Sequence, residues 1–524
     1  MELVFSSHQW LILPPLVLLC LLLSYLYTIL WLRPERLRQK LRSQGVKGPK
    51  PSFLFGNIAE MRRIQKELAV PVQELEAKNT DKFSSDYTAT IFPYFLHWSR
   101  IYGSIYLYST GSIQALNITD PDMVKELANC KSLDLGKPSF LQKERGALLG
   151  MGILTSNGEL WEHQRKVIAP EFFMEKVKGM LHVMVEAAMP MLTSWEKIFG
   201  REGGSAEIVV DESLRNFSAD VISRTSFGSN FAAGKEIFNK IRQLQIAMAK
   251  QSILGVPGAR YLPTKSNREI WSLDRSIRRL ILNVAMKHEQ DSVALSTDKD
   301  LLHSIIEGAK ARHFASQTPE GFIIDNCKNI YFAGHETTST TAAWCLMLLA
   351  SHPEWQSRAR TELLDVCQGK PIEFDMLRKL KMLTMVVQET LRLYPPAAFV
   401  TREALNDIKL GSLNIPEGTN IRIPIALVHR DPAIWGPNSD RFDPGRFANG
   451  IAGACKPPHM YMPFGVGTRT CAGQNLAMVE LKVILSLLLS RFEFALSPKY
   501  VHCPAFRLTI EPGNGVPLIL KKLY

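Results

Sequence analysis

The sequence predicts a mainly α-helical body with a small antiparallel β portion, preceded by a single N-terminal transmembrane helix. Three observations predict this architecture: an uncharged leucine-rich stretch near the N-terminus, long segments with helical spacing of apolar residues, and short alternating segments around turn residues. The 524 residues, 46% hydrophobic and 21% charged, have an ordinary globular composition. Collagen-like, disordered and disulfide-scaffold classes are therefore excluded.

The anchor is predicted from Trp10–Leu32, which carries no charge and is long enough to cross a hydrocarbon core of roughly 30 Å. A cleaved signal peptide is disfavoured because the chain has no basic start. Lys and Arg cluster after the span, so the positive-inside rule places the body in the cytosol. We divide the chain into a membrane anchor (1–32), a basic, proline-containing hinge (33–51) and one large domain (52–524).

The net charge of +12 does not indicate nucleic-acid binding, because half of it lies in the hinge and the remaining body is only mildly basic. The eight cysteines are scattered without a CxxC pair. A cytosolic body would keep them reduced, so no disulfides are expected.

The body is predicted to be helical wherever apolar residues recur at helical spacing. The predicted helices are 123–127, 161–168, 177–195, 214–225, 236–250, 271–288, 325–350, 377–393 and 475–492. The small antiparallel sheet is predicted from 105–108 with 113–116, and from 408–410 through 421–423 around a Pro-Glu-Gly turn.

A glycine-punctuated loop, FGVGTRTCAG at 464–473, delivers Cys471 to the start of an apolar helix. N–H groups at a helix start and the nearby Arg469 favour an anionic sulfur, and the glycines permit close approach of a flat ligand. A lone cysteine is usually a core residue, so a functional interpretation depends on the spacing of the residues around it. Phe464, Arg469, Cys471 and Gly473 resemble the haem-binding signature of the cytochrome P-450 family, in which the cysteine thiolate is the axial iron ligand.

A carboxylate and a guanidinium, Glu389 and Arg392, are spaced i,i+3 on one predicted helix face. Such a pair is on its own more often an exposed contact that contributes little to stability. Here Tyr394-Pro395-Pro396 and the segment around Arg446 follow, as in the same family. The resemblance implies a buried structural network of Glu389, Arg392 and Arg446.

The segment AGHETT at 333–338 lies inside a long apolar helix, which is unfavourable for a Glu and a Gly unless something near that face requires them. It resembles the family's oxygen-activation motif. The resemblance implies that Glu336 and Thr337 order water and relay protons, and that Gly334 leaves room beside the haem. We expect a packing role for His335, because the thiolate already supplies the protein's axial ligand.

The remaining haem contacts are carried over from the family. Trp161 and Arg165, spaced i,i+4, resemble the pair that holds a haem propionate, and Arg402 and Arg469 are the other implied propionate partners. Guanidinium groups bind carboxylates bidentately. The resemblance spans essentially the whole chain and implies the cytochrome P-450 fold with heme b as cofactor.

The resemblance implies a monooxygenase that uses O2, an apolar small molecule and electrons from NADPH. NADPH-cytochrome P-450 reductase would deliver the electrons at the endoplasmic reticulum membrane, where the single-pass chain would face the cytosol. Two alternatives stay open: a haem-thiolate isomerase or dehydratase that works without O2, and a non-catalytic membrane haem protein. Glu336, Thr337 and the complete cysteine loop argue against both.

Three segments resemble the plant family that oxidises gibberellins and related diterpenoids, whose relatives oxidise oleanane- or ursane-type triterpenoid acids. They are GVKGP at 45–49, FGN at 55–57 with MRRIQ at 61–65, and DNCKNIYF at 325–332. Such substrates are rigid apolar polycycles with a carboxylate, so we expect a mostly hydrophobic pocket with few polar anchors. The fold implies pocket walls at 133–149, 329–333, 397–400 and 505–508.

Overall fold

The computed structural model describes residues 6–68, 87–202, 204–228, 231–250, 258–295 and 300–523. Most of these residues are helical and a minority form small sheets, so the predicted fold class is confirmed. The long helices are Ser6–Tyr27, Arg33–Arg42, Ile58–Leu68, Pro93–Tyr102, Pro121–Asn129, Gly158–Ile168, Leu181–Glu202, Val210–Phe227, Phe231–Ala249, Lys265–Leu295, Leu301–Ala311, Pro319–Ser351, Pro353–Cys367, Lys381–Leu393 and Gln474–Leu489.

Shorter helical segments connect these elements. The α-helical ones are Thr88–Ile91, Ser139–Glu144, Gly146–Leu149, Met174–Gly179, Phe374–Lys379, Ile425–Val428, Pro432–Trp435 and Gly450–Ala454. A π-helical stretch covers Thr28–Leu32, and 3₁₀ turns cover Ala169–Phe172, Ala259–Tyr261, Pro444–Phe447, Pro458–Met460 and Gly467–Arg469.

Two predicted helices are each divided in the structure. The segment 177–195 is interrupted at Met180, and 377–393 is interrupted at Leu380, whose ψ of 79° is not helical. A third prediction, 475–492, runs too far, because the helix ends at Leu489 and Phe492 begins a strand. Apolar spacing continues through all three points, so periodicity alone does not detect these ends.

The strands, in chain order, are β1 Ile105–Thr110, β2 Ile113–Ile118, β3 Leu135–Gly136, β4 Ser205–Val209, β5 Phe399–Ala404, β6 Ile408–Leu410, β7 Leu413–Ile415, β8 Asn420–Pro424, β9 Phe492–Leu496, β10 Pro504–Phe506, β11 Ile510–Pro512 and β12 Pro517–Lys522. They form a five-stranded sheet in the order β1-β2-β8-β5-β3, a three-stranded sheet β4-β12-β9, and the pairs β6-β7 and β10-β11. All pairings are antiparallel except β2 with β8.

The predicted pairing of 408–410 with 421–423 is wrong. Gly411 adopts a φ of +62°, so the chain turns back at once and β6 pairs with β7. β8 instead pairs with β5 and β2.

A 33-residue helix, Pro319–Ser351, crosses the core and is called the central helix below. The Thr318 hydroxyl accepts a hydrogen bond from the N–H of Gly321 and caps its start, and Pro353 follows its end. Its residues are buried along most of its length, and it packs against Val210–Phe227, Lys381–Leu393 and Gln474–Leu489.

Within the described residues, Pro14–Arg42 is the one helical stretch long and apolar enough to cross a membrane. Its last ten residues, Arg33–Arg42, belong to the proposed hinge but are helical and lie against the body. Arg38 is buried there, and its Nη1 donates to Gln114 Oε1 at 3.0 Å. The non-helical part of the hinge begins at Ser43.

Candidate active site

Cys471 lies three residues before the Gln474–Leu489 helix, at the end of the glycine-punctuated loop. Its N–H donates to Phe464 O at 2.9 Å, which closes the loop. Gly467 has a φ of +68°, and a Cβ there would lie 2.7 Å from Ala128 O, so the tight turn requires glycine.

The Cys471 side chain is accessible, yet burial raises its pKa, while the Gly473 N–H and the Arg165 guanidinium oppose that rise. The sulfur can therefore meet a ligand from outside the chain.

Three predicted propionate partners, Arg165, Arg402 and Arg469, gather around this loop. Arg165 Nη1 donates to Thr470 O at 2.8 Å, and Arg402 Nη2 donates to Val466 O at 2.9 Å. Burial lowers the pKa of Arg402 to about 10. Burial and repulsion from Arg402 and Arg165 lower the pKa of Arg469 to about 9. The three arginines therefore form a strained cluster of like charge.

Sequence reasoning missed a fourth cation of this cluster, Lys137. Burial and the charges of Arg402 and Arg469 lower its pKa well below the ordinary value. No spacing motif marks Lys137, which follows the two-residue strand β3. Among the described residues, no carboxylate forms an ion pair with any of the four cations. An anionic ligand would offset the repulsion among these like charges.

Trp161 contacts Arg469 as well as sharing a helix with Arg165. The Arg469 guanidinium carbon lies 4.0 Å from the centroid of the Trp161 ring. Arg469 Nη1 donates to Ser156 O at 2.7 Å, and its Nη2 donates to Asn157 Oδ1 at 2.9 Å. These contacts fix the plane of the Arg469 guanidinium.

Glu336 and Thr337 occupy different faces of the central helix. Thr337 is half-buried, as are Ala333 and Gly334, and its hydroxyl donates to Ala333 O at 2.7 Å. Glu336 is fully buried. Successive helical residues point about 100° apart, which explains the separation.

The Glu336 carboxylate enters an ion network that the sequence did not predict. Arg242 Nη1 lies 3.2 Å from Glu336 Oε2 and also makes a bidentate contact with Glu511, at 2.8 and 2.9 Å. Arg215 lies 3.9 Å from Glu336 and 3.7 Å from Glu511, and Arg507 Nη1 donates to Glu511 Oε1 at 2.7 Å. These residues are more than 90 positions from the central-helix motif along the chain, so no local pattern joins them.

Burial raises the pKa of Glu336, and Arg242 and Arg215 oppose that rise. Burial also acts on Glu511, but the hydrogen bond and charge of Arg242 hold its pKa below the ordinary value. Glu336 Oε1 is buried without a hydrogen-bond partner among the described residues. His335 Nδ1 lies 3.6 Å from this oxygen, beyond hydrogen-bond distance.

Gly334 and His335 have packing contacts. A Cβ on Gly334 would lie 2.4 Å from Ile222 Cδ1, so the glycine lets the Val210–Phe227 helix approach the central helix. The expected role of making room beside the haem stays a prediction. The His335 ring lies 5.0 Å from Phe238, and burial with nearby arginines lowers its pKa to about 3. His335 is thus a neutral packing residue, as expected.

The structure brings Glu389, Arg392 and Arg446 together. Arg392 and Glu389 are fully buried and form a bidentate pair with both distances 2.7 Å. Arg446 Nε lies 3.6 Å from Glu389 Oε1. Arg392 Nη1 also donates to His429 O, and His429 Nε2 accepts from the N–H of Met462 at 3.0 Å. The network therefore supports the loop that carries Cys471.

Comparison with known proteins agrees with this site. The cytochrome P-450 family model matches residues 82–513. Cytochrome P-450 714C2 of Oryza sativa subsp. japonica is 77% identical over 99% of both chains. Cytochrome P-450 714B3 of Zea mays is 47% identical, covering 96% of this chain and 94% of its own. Cytochrome P-450 714A2 of Arabidopsis thaliana is 45% identical over 92% of each. The chain therefore belongs to the cytochrome P-450 family of monooxygenases and, within it, to the plant 714 family.

Proposed function

We propose that this protein is a membrane-anchored monooxygenase that inserts one oxygen atom from O2 into a polycyclic terpenoid. The substrate is a gibberellin-type diterpenoid or an oleanane- or ursane-type triterpenoid acid. NADPH-cytochrome P-450 reductase supplies two electrons, so a C–H bond becomes C–OH and the second oxygen leaves as water.

Enzymes of the cytochrome P-450 family carry heme b on a cysteine thiolate. The residues present fit that group. Cys471 is accessible, and its loop contacts a cluster of cations that form no ion pair with a carboxylate of the described residues. This cluster beside an accessible cysteine is the observation that carries the proposal, because the two propionates of a haem would supply the missing negative charge.

In the proposed site, Cys471 would supply the thiolate ligand of the haem, and Arg165, Arg402, Arg469 and Lys137 would hold its propionates. Trp161 orients Arg469. Phe464 and Gly473 shape the cysteine loop, through the Cys471 N–H bond to Phe464 O and the Gly473 N–H aimed at the sulfur.

Haem-thiolate, when bound, activates O2 for insertion into an unactivated C–H bond. Proton delivery is the part that we assign to the central helix. The Thr337 hydroxyl lies on the accessible face, where it orders water. Glu336 lies on the other, buried face of the helix, and we assign it proton exchange with water that reaches its Oε1, which has no hydrogen-bond partner among the described residues. Arg242 and Arg215 hold its position.

The location follows from the anchor. The apolar part of the helical stretch Pro14–Arg42, up to Leu32, spans the endoplasmic reticulum membrane once, and the basic residues after Leu32 keep the catalytic domain on the cytosolic side. The cytosolic side also provides NADPH and the reductase. The binding partners are therefore the reductase, O2, the membrane and an apolar small molecule, with no nucleic acid.

The terpenoid substrate is supported by the segments at 45–49, 55–65 and 325–332, which resemble the gibberellin- and triterpenoid-oxidising plant family. A haem-thiolate isomerase or dehydratase remains the alternative within the fold, and a non-catalytic haem protein the alternative outside catalysis. Consumption of O2 that depends on the reductase separates the proposal from both.

The test uses microsomes that contain the expressed full-length chain, the reductase and NADPH. The reduced, CO-treated protein should give a thiolate-type haem spectrum, and a panel of diterpenoid and triterpenoid acids should yield a hydroxylated product. Cys471→Ala should lose that spectrum. The spectrum without any product would remove the terpenoid assignment, whereas well-folded protein without the spectrum would overturn the haem site.

A further inference from the structure

Four polar residues line one stretch of the first half of the central helix: Asp325, Asn326, Lys328 and Asn329. All four are buried, three of them completely. Polar side chains in a core are costly unless hydrogen bonds satisfy them. These four residues, called the row below, must therefore bond to other polar groups. The proposed reaction assigns them no role.

The partner is the segment from residue 147 to 157, which begins within the short helix Gly146–Leu149 and is called the loop below. Asn329 Nδ2 donates to Leu149 O at 2.8 Å, and Asn329 Oδ1 accepts from the N–H of Leu154 at 2.9 Å. Asn326 Oδ1 accepts from the N–H of Ile153 at 3.0 Å. The two amides therefore bind backbone groups across six consecutive residues of the loop.

The two charged members of the row add further bonds. Asp325 Oδ2 accepts from the N–H of Met151 at 2.9 Å, and Lys328 Nζ donates to Ala147 O at 3.1 Å. Lys328 also lies 3.2 Å from both Asp274 and Asp325, so its buried charge is paired. Every member of the row thus bonds to the same loop.

Two glycines let the loop lie directly on the helix. A Cβ on Gly150, which has a φ of +54°, would lie 2.1 Å from Asp325 Cγ. A Cβ on Gly152 would lie 2.6 Å from Asn329 Oδ1. No side chain fits between the loop and the row, so the contact depends on glycine at both positions.

The far end of the same loop holds Arg469. Ser156 O and Asn157 Oδ1 accept the two hydrogen bonds of its guanidinium. Asn157 Oδ1 also accepts from the N–H of Lys137 at 2.6 Å, so this end of the loop joins two members of the cation cluster.

We propose that Asn326 and Asn329 are positioning residues that hold Arg469 in place through the loop, without touching cofactor or substrate. The effect on the cofactor rests on the proposed haem site, whereas the effect on the loop does not. The fold implied that Asn329 lies in a wall of the substrate pocket. The oxygen and the nitrogen of its amide both bind the loop, so its contacts are with the loop backbone.

The first experiment measures hydrogen exchange of the backbone amides at residues 151–154 in full-length, haem-loaded protein. Asn329→Ala should make the Leu154 amide exchange about fivefold faster, the factor expected for one lost hydrogen bond. Asn57→Ala is the matched control, because Asn57 is equally buried and its amide likewise bonds two backbone groups, Ser109 N–H and Lys50 O, neither of which belongs to the loop. Unchanged exchange at Leu154 in Asn329→Ala would overturn the loop contact.

The second measurement is the reduction potential of the haem. A cation near the propionates favours the reduced state, so loosening Arg469 should shift the potential to a more negative value. In the Arg469→Lys background, Asn329→Ala should add little, since the two changes act on one contact. Fully additive shifts would show that Asn329 acts by another route.

A conservative variant keeps the proposal testable if Asn329→Ala folds poorly. Asn329→Asp retains the acceptor for the Leu154 N–H but loses the donor to Leu149 O, so it should restore slow exchange at Leu154. Faster exchange together with an unchanged potential would contradict the positioning of Arg469, even if the haem site itself is correct. Loss of the thiolate spectrum in otherwise wild-type protein would instead contradict the proposed function.

Discussion

The Arg469 guanidinium lies over the Trp161 ring, with its carbon 4.0 Å from the ring centroid. This contact joins the loop of Cys471 to the Gly158–Ile168 helix. The sequence pairs Trp161 with Arg165 by spacing, but in the structure the indole supports an arginine more than 300 residues away. Trp161 therefore stabilises the cation cluster by orienting one of its members.

Replacing Trp161 with Leu should weaken haem retention. A desolvated cation–π contact is worth about 1–2 kcal/mol, so haem transfer to a scavenging apoprotein should become about tenfold faster. Trp355→Leu is a matched control, because Trp355 is equally buried and contacts Arg358 at 4.2 Å away from the site. An equal effect of the two substitutions would contradict a specific role for Trp161.

Replacing Arg242 with Gln should make stability depend more steeply on pH. The variant leaves Glu336 and Glu511 buried with less positive charge, so the already raised pKa of Glu336 rises further and the lowered pKa of Glu511 also rises. Groups with a raised folded pKa lose stability as pH rises, and the loss relative to wild type should therefore be larger at pH 8 than at pH 5.

Urea unfolding at the two pH values measures this effect, expected to be about 3 kcal/mol at pH 8. The double variant Glu336→Gln/Arg242→Gln should recover part of the loss, because it removes a buried charge that has lost its partner. No recovery would mean that Arg242 acts mainly through Glu511.

Glu480, on the Gln474–Leu489 helix, should reduce stability at neutral pH. It is fully buried, neither carboxylate oxygen has a hydrogen-bond partner among the described residues, and desolvation raises its pKa to about 8. The unfolded chain ionises this group above pH 4.5, so stability falls between pH 4.5 and 8. Glu480→Gln should therefore exceed wild type by about 3 kcal/mol at pH 7 and match it near pH 4. Exposed Glu493→Gln serves as the control, and a pH-independent difference would refute the assignment.

Replacing Arg392 should reduce stability and the yield of CO-binding protein more than replacing Arg446. Arg392 is fully buried and bonds Glu389 bidentately as well as backbone carbonyls, whereas Arg446 Nε is 3.6 Å from Glu389 and part-exposed. Arg392→Lys should cost about 3–5 kcal/mol and sharply reduce the yield of CO-binding protein. Arg446→Lys should reduce it far less. Equal yields would contradict the ranking.

Thr337→Ala should keep the haem but divert electrons from product to hydrogen peroxide. Loss of the hydroxyl on the accessible face disturbs the ordered water, so more hydrogen peroxide should form for each NADPH consumed. Thr341→Ala, one turn later and buried, is the control and should leave this ratio unchanged. An unchanged ratio in Thr337→Ala would remove the proton-relay role.

The sequence by itself determined the features that lie within a few consecutive residues. Cys471 in its glycine loop, the central-helix motif and the i,i+3 pair Glu389–Arg392 are all local patterns, and so are the long amphipathic helices. Each depends on backbone conformations and helical spacing that neighbouring residues dictate, so each could be predicted without the fold.

Only the tertiary structure decided which distant groups meet. Lys137 joins the cation cluster, Arg242 links Glu336 to Glu511, and Asn329 binds a loop some 175 residues earlier. The helix breaks at Met180 and Leu380 and the pairing of β6 with β7 were likewise set by packing and a local turn. Buried charges and amides pair with the polar groups that the fold brings close to them. These groups can be far apart in sequence, so residue spacing does not reveal the pairs.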